Sequence, residues 1–175
     1  MKKQDIYGNQ AKIVYLAIGS NLGNRRHNIE NAKYLINDKD TKIIKISKIY
    51  ETQSWPNKKF PKYLNLVLKI KTRLTPLTLL KKIKHIEYLL GRTKNLKNFP
   101  RTCDIDILDY NNKIIIIKSS KKNLILPHPE VHKRGFVLLP LFDVCRNWIH
   151  PQKNIDISAL LKALNINRIN SIKEL

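Results

Sequence analysis

The segment 63–73 constrains the fold most strongly, because it places apolar side chains at every second position: Leu64, Leu66, Leu68 and Ile70. Successive side chains on a β-strand point to opposite sides, so a period of two is typical of a strand with one face toward a core. A lone strand cannot bury such a face. The pattern therefore predicts a sheet that other elements cover on at least one side.

Other regular elements flank this strand. Asn24 and Thr75 are good N-caps, Pro76 fits the first helical turn, and Gly91 suits the end of a helix. The sequence predicts helices at 24–37 and 75–91 and further strands at 13–18, 42–51 and 103–110. The resulting β-α-β-β-α-β order predicts an α+β fold, with a ferredoxin-like antiparallel sheet and additions at the C-terminus.

A single domain is expected for a chain of 175 residues. Residues 1–12 are polar and aperiodic, which predicts a flexible N-terminal tail. Residues 13–175 contain no repeat or internal linker and are expected to form the one domain. Its C-terminal additions include an apolar segment at 136–144 and a short helix at 157–164.

The basic composition favours an anionic partner. The chain has 34 Lys and Arg against 13 Asp and Glu, a formal net charge of +21, which suits nucleic acid or a phosphorylated small molecule. Most of the basic residues are Lys, and the accompanying Ile and Asn are also what an AT-rich coding sequence produces by drift. Both origins of the bulk charge stay open here, and the few Arg, which bind phosphate through a planar fork, are more informative.

Several other classes do not fit the composition. The two cysteines, Cys103 and Cys145, are too few for a disulfide-rich secreted scaffold or a four-cysteine zinc site. No apolar run reaches the length of a membrane span, and the first residues lead into no signal-peptide core. We therefore expect a soluble, cytoplasmic protein without a membrane partner.

Two acidic residues, Asp104 and Asp106, are the main candidates for a metal site. They lie two positions apart on a predicted strand, so both carboxylates share one face while Cys103, Ile105 and Ile107 point toward the core. Such a pair suits Mg²⁺, which takes hard oxygen ligands and commonly adds substrate phosphates. A solvated acidic edge is the alternative, although acids are scarce in this chain.

Basic side chains flank this strand in the sequence. Arg92, Lys94 and Arg101 precede the carboxylate pair, and His128 and Arg134 follow it. Loops on a rigid scaffold commonly carry binding groups, and these cations suit phosphate. Any one of them alone is also typical of an ordinary exposed surface.

Tyr63 and Asn65 share the other face of the alternating strand. An aromatic plane beside an amide suits a flat heterocycle, which can stack on one and hydrogen-bond to the other. Phe136 offers a second plane, although the pattern alone is also common on exposed strands. The segment Gly19-Ser20-Asn21 predicts only a tight strand-to-helix turn, because no Lys-Ser/Thr follows as in a phosphate-binding loop.

Taken together, these motifs resemble those of the 6-hydroxymethyl-7,8-dihydropterin pyrophosphokinase family of folate biosynthesis. The resemblance covers about residues 13–150 in family order and spacing, and the strand at 100–108 is its most specific part. The segments that carry it are Tyr15-Leu16-Ala17-Ile18-Gly19-Ser20-Asn21-Leu22-Gly23, Tyr50-Glu51-Thr52, Tyr63-Leu64-Asn65, Ile86-Glu87 with Gly91-Arg92, Pro100-Arg101-Thr102-Cys103-Asp104-Ile105-Asp106-Ile107-Leu108, and Pro127-His128-Pro129 with Arg134-Gly135-Phe136.

The resemblance implies transfer of a pyrophosphoryl group from ATP to the hydroxymethyl group of the dihydropterin, which leaves AMP. It implies two Mg²⁺ ions on Asp104 and Asp106, with Arg92 and Arg101 as catalytic residues and Glu87 as a structural brace. It implies that ATP is bound by Leu80, Arg92, Lys94, Arg101, Ile107, His128 and Arg134. It implies that the pterin is bound by Thr52, Tyr63, Asn65 and Phe136. We expect a monomer with no nucleic-acid partner.

Two other functions remain as alternatives. An RRM-type RNA-binding module shares the β-α-β-β-α-β order, but the segment 62–67 lacks the Gly and the aromatic spacing of its third-strand motif. Two carboxylates facing the ligand would also repel RNA phosphates. The second alternative is a non-catalytic remnant of the enzyme, which the sequence leaves open.

Overall fold

The computed structural model describes residues 10–92, 99–118 and 123–175, without the side chains of residues 167 and 168. Its elements in chain order are β1 (Lys12–Ser20), α1 (Arg25–Ile36), β2 (Thr41–Ile46), β3 (Tyr50–Thr52), β4 (Tyr63–Thr72), α2 (Pro76–Leu89), β5 (Asp104–Tyr110), β6 (Ile115–Lys118), β7 (Asn123–Leu126), α3 (Gly135–Val144), α4 (Ile157–Lys162), α5 (Ile166–Asn170) and β8 (Lys173–Glu174), with a 3-10 helix at Val131–Lys133.

The main sheet pairs its strands antiparallel throughout the described ranges. β1 lies between β5 and β4, and β4 also pairs with both β2 and β3. β8 pairs with the free edge of β3, while β6 and β7 form a separate two-stranded sheet. The chain therefore has an α+β fold built on an antiparallel sheet.

Helices cover both faces of this sheet. The alternating residues Leu64, Leu66, Leu68 and Ile70 are buried in one cluster with residues of α1 and α2, which confirms the predicted inward face of β4. On the opposite face, Val67 packs in a second cluster with residues of α3 and α4. The central strands are thus held on two sides, so the residues at their ends have fixed positions.

The predicted helix starts are also confirmed. The Asn24 side chain accepts a hydrogen bond from the His27 N–H, and the Thr75 hydroxyl accepts one from the Thr78 N–H. Pro76 is the first residue of α2. Gly91 follows that helix at a φ of +80°, a conformation that glycine adopts without strain.

The prediction of one strand at 42–51 was wrong, because the structure divides it into β2 and β3. Ile46 pairs with Leu68 and Tyr50 pairs with Asn65, so the β2–β3 side contains one residue more than β4 over this interval. Ser47 lies in the gap, where its hydroxyl accepts a hydrogen bond from the Val67 N–H. Such a bulge bends the strand, a feature that alternation alone does not reveal.

The C-terminal third holds elements that the sequence did not predict. The apolar segment at 136–144 belongs to α3, and the predicted helix at 157–164 corresponds to α4, which ends at Lys162. β7, α5 and β8 were not anticipated. The proposed tail at 1–12 overlaps β1, which already includes Lys12, and its residues 1–9 lie outside the described ranges. Among the described residues, no helix has the length and apolar character that crossing a bilayer requires.

Candidate active site

The candidate site is built on β5, whose side chains alternate between core and surface. Ile105 and Ile107 are buried in the core, whereas the side chains of Asp104 and Asp106 remain 29% and 36% exposed. Both carboxylates therefore lie on the same, accessible face of β5, as the spacing predicted.

Two arginines contact Asp104 from different segments of the chain. Arg92, which follows α2, places Nη1 2.7 Å from Oδ1 of Asp104, and Arg101 places Nη1 3.2 Å from Oδ2. Burial of the Arg92 guanidinium disfavours its charge, but Asp104 and Glu87 outweigh this effect and raise the pKa of Arg92. Arg92 therefore carries its charge permanently in the site.

Two further cationic groups lie beside Asp106. Nε2 of His128 is 3.9 Å from Oδ2 of Asp106, and Nη1 of Arg134 is 4.0 Å from the same oxygen. Burial lowers the pKa of His128 below its ordinary value, although the Asp106 carboxylate opposes this shift. The predicted set Arg92, Arg101, His128 and Arg134 thus converges on the two carboxylates, whereas Lys94 lies outside the described residues.

Glu87 is a buried residue of α2 that contacts both β5 and Arg92. It is 2% exposed, and its Oε1 accepts hydrogen bonds from the Ile105 N–H at 2.7 Å and from Nζ of Lys84 at 2.8 Å. The same oxygen forms an ion pair with Arg92. A single buried carboxylate thereby ties α2 to β5 and orients Arg92.

A groove of about 270 Å³ adjoins the carboxylates. Three of the residues predicted to bind ATP, Leu80, Ile107 and His128, line it together with Asp106. β7, which the sequence did not predict as a strand, supplies another part of the wall: Asn123, Leu124 and Ile125. The combination of apolar walls with a few polar groups is typical of a small-molecule site.

The residues predicted to bind a flat heterocycle, Tyr63 and Asn65, lie across β1 from the two carboxylates. Asn65 is 6% exposed, and its Nδ2 donates to Oγ1 of Thr52 at 2.9 Å and to the carbonyl oxygen of Tyr50 at 3.4 Å. The amide is therefore held in a fixed orientation. Burial raises the pKa of the Tyr63 hydroxyl, and Arg101 and Asp104 lie close enough to influence it. This places Tyr63 beside the carboxylate site.

Gly19 of β1 lies between the carboxylates of β5 and the Tyr63–Asn65 pair of β4. It pairs with Asn65 on one side and with Asp104 on the other. A Cβ at this position would lie 3.4 Å from Oδ1 of Asn65 and 3.5 Å from Cδ1 of Tyr63. The absence of a side chain at position 19 keeps the space over these groups open. The sequence had predicted this residue only as part of a turn.

Phe136 is partly exposed at the start of α3. The guanidinium carbon of Arg134 lies 5.9 Å from the centre of its ring, which is a cation–π distance. The Phe136 ring therefore contacts the guanidinium of Arg134. Among the described residues, no ring contact links Phe136 to Tyr63. That the two rings enclose a pterin stays a prediction.

Asn21 supports the candidate site through contacts that the sequence reasoning did not predict. It is 1% exposed, and its Nδ2 donates to Oγ of Ser54 and to the carbonyl oxygen of Pro61. Its Oδ1 accepts from the Arg101 N–H at 2.8 Å. Asn21 thereby joins the loop before β4 to the segment that carries Arg101. Its position directly after the first strand was the available signal.

The donor set fits Mg²⁺ better than a metal held by protein alone. Among the described residues, no cluster of three or more His, Cys, Asp or Glu side chains could enclose a metal ion. Mg²⁺ commonly uses one or two carboxylates and completes its shell with water and substrate phosphates. Asp104 and Asp106 supply that number of carboxylates on one face.

Paired carboxylates surrounded by arginines define a site suited to metal-assisted phosphoryl transfer. The sequence model of the family described as 7,8-dihydro-6-hydroxymethylpterin-pyrophosphokinase (HPPK) matches residues 15–146. Because this match covers more than half of the chain, the chain belongs to the HPPK family.

Individual relatives agree with this assignment. A 2-amino-4-hydroxy-6-hydroxymethyldihydropteridine pyrophosphokinase of Aquifex aeolicus is 42% identical over 138 residues, which are 79% of this chain and 83% of that protein. The folic acid synthesis protein fol1 of Pneumocystis carinii is 37% identical over 164 residues, 94% of this chain. This chain spans only 21% of the fol1 protein's length.

A solved structure shows the same fold. The crystal structure of a Plasmodium falciparum HPPK-DHPS triple mutant has a TM-score of 0.78 with this chain at 20% sequence identity. The match covers 98% of this chain and 49% of that chain. At this identity the likeness supports the fold alone.

Proposed function

We propose that the chain transfers a pyrophosphoryl group from ATP to the hydroxymethyl group of 6-hydroxymethyl-7,8-dihydropterin, giving the pterin diphosphate and AMP. The observation that carries the proposal is the convergence of Arg92 and Arg101 on Asp104, on the accessible face of β5. These residues lie within the segment that matches the HPPK family. The names of the relatives at 42% and 38% identity support the same reaction.

In this proposal Asp104 and Asp106 would hold two Mg²⁺ ions, which would supply positive charge to offset that of the phosphates. ATP lies in the groove, with its base against Leu80 and Ile107 and with its phosphates toward the cations. Those cations are Arg92, Lys94, Arg101, His128 and Arg134. Arg92 and Arg101 leave Asp104 to bind the phosphates, since a permanently charged fork stabilises the charge that develops there.

The pterin lies on the Gly19 side, stacked between Tyr63 and Phe136. Asn65 already donates to Thr52 and Tyr50, so its Oδ1 beside Gly19 remains as an acceptor for the amino edge of the pterin. Thr52 acts by holding that amide and through its backbone. The hydroxymethyl oxygen then points toward the carboxylate side of β1.

The reaction is an in-line displacement at the β-phosphorus of ATP. The hydroxymethyl oxygen forms a bond to this phosphorus and loses its proton to solvent, while the bond to the oxygen that bridges the α- and β-phosphates breaks. AMP leaves with the electron pair of the broken bond. The protein's contribution is to align the two substrates and to stabilise charge.

Several finer features belong to the same proposal. The order of strands around β1 and β4 supports a ferredoxin-like sheet whose second strand is split. The family match over 15–146 supports a single pyrophosphokinase domain at 13–175. We also propose a cytoplasmic monomer without a nucleic-acid or membrane partner, with a bulk charge that arises mostly from drift.

The formation of AMP from ATP and the dihydropterin tests the reaction. Asp104→Ala and Asp106→Ala are each expected to lower the rate by about three orders of magnitude, because catalysis depends on the metal-held phosphates. Glu30→Ala is the matched control, since its carboxylate on α1 is 59% exposed and pairs with Lys33 rather than with a proposed site residue. Wild-type protein that makes no AMP at saturating Mg²⁺ and pterin would contradict the proposal and favour the non-catalytic remnant.

A further inference from the structure

Residues 165–175 contain α5 and β8 and are called the C-terminal strap below. The strap lies beyond residue 146, where the match to the family ends. It returns from α4 to the main sheet and contacts two elements that carry proposed pterin-binding residues. These contacts suggest a role beyond closure of the fold.

The first contact of the strap is with β3. Glu174 and Lys173 pair with Tyr50 and Glu51, and the Leu175 N–H donates to the Ile49 carbonyl at 3.0 Å. β3 has only three residues, and within the described ranges β8 is the strand that pairs with its outer edge. Pairing on both edges restricts its backbone far more than pairing on one.

β3 in turn orients the amide of Asn65. Both acceptors of Nδ2, the carbonyl oxygen of Tyr50 and Oγ1 of Thr52, belong to β3. A shift of β3 therefore moves both groups that fix Asn65. The strap therefore influences the orientation of Asn65 through its pairing with β3.

The second contact of the strap is at Gly135. A Cβ built on Gly135 would lie 3.0 Å from Cδ1 of Ile172, so the Ile172 side chain packs directly on the glycine backbone. Gly135 is the first residue of α3 and lies between Arg134 and Phe136. Ile172 thereby fixes the turn that presents the Phe136 ring.

We propose that the C-terminal strap is a positioning element for the pterin, an inference that rests on the proposed function. It supports three of the four proposed pterin-binding residues, namely Thr52, Asn65 and Phe136. Among the proposed ATP-binding residues that the structure describes, Arg134 alone neighbours Gly135, the residue on which Ile172 packs. The strap therefore sets the affinity for the flat heterocycle much more than the affinity for the nucleotide.

The test is Ile172→Ala, with pterin binding and ATP-analogue binding measured separately by calorimetry. Loss of positioning is expected to weaken pterin binding roughly tenfold, while ATP-analogue binding changes by less than about twofold. Ile166→Ala is the matched control on the same strap, because Ile166 is 65% exposed. Leu175→Pro, which removes the N–H that bonds to Ile49, is an independent second variant.

Amide hydrogen exchange gives a readout that does not require a ligand. Faster exchange at 50–52 and 135–137 is expected in Ile172→Ala, with no change on the β5 strand. Equal losses of pterin and nucleotide affinity, or unchanged exchange in both segments, would overturn the role of the strap. Wild-type protein that binds no pterin would instead contradict the proposed function, and the exchange data would still decide whether the strap orders these segments.

Discussion

Replacement of Glu87 tests how the site is held together. Glu87→Ala removes the acceptor of the buried Ile105 N–H, and an unsatisfied buried donor costs about 1–3 kcal/mol. It also removes the partner of Lys84 and Arg92, but these side chains are 46% and 26% exposed and can recover water, so this loss adds at most about 1 kcal/mol. We expect the free energy of unfolding to fall by about 3 kcal/mol.

Glu87→Gln is the matched comparison. Gln keeps a carbonyl oxygen for the Ile105 N–H and loses only the charge, so its expected cost is about 1 kcal/mol. Urea unfolding measures both, and an unchanged dependence on denaturant confirms that only stability differs. Equal losses for Ala and Gln would refute the reasoning, because they would show that the charge of Glu87 matters more than its bond to Ile105.

Two further predictions concern the pterin side and the pH dependence of stability. Asn65→Ala should weaken pterin binding about ten- to a hundredfold, the worth of one or two buried hydrogen bonds; an equal loss of ATP-analogue binding in calorimetry would contradict this placement. His150 is buried beside His132. Burial is the main cause that lowers the pKa of His150 below 6.5, and the nearby His132 is the second. The unfolded chain thus binds this proton more readily, so stability is full above about pH 6.5 and declines as the pH falls through the folded-state pKa. His150→Asn keeps an acceptor for the Gln152 and Lys153 N–H groups and should flatten the decline in stability below about pH 6.5; an unchanged slope in urea unfolding would show that other groups cause it.

Short-range patterns in the sequence predicted the individual elements well. The alternation in β4 and β5 identified their buried faces, and the caps at Asn24 and Thr75 located both main helices. Each of these signals depends on residues within a few positions of one another, so it can be recognised without knowledge of the fold. The shared face of Asp104 and Asp106 was predicted for the same reason.

Contacts between distant segments were not predictable in this way. β8 joins β3 across more than a hundred residues, and β7 supplies part of the groove although its four residues gave no clear signal. Ser47 lies where the predicted second strand is interrupted, and its hydroxyl accepts a hydrogen bond from the Val67 N–H, which only the pairing of strands brings near. The linking role of Asn21 likewise depends on two loops meeting.

The side chains proposed to bind phosphate, metal and a flat ligand could be selected from the sequence, since strand and helix periods assign residues to faces. The folded structure was needed to show that Arg92 and Arg101 meet at one carboxylate and that Glu87 forms an ion pair with Arg92. Convergence of this kind depends on the pairing of β1 with β5 and on the packing of α2. Those arrangements follow from burial of the whole core, a collective property that no short segment encodes.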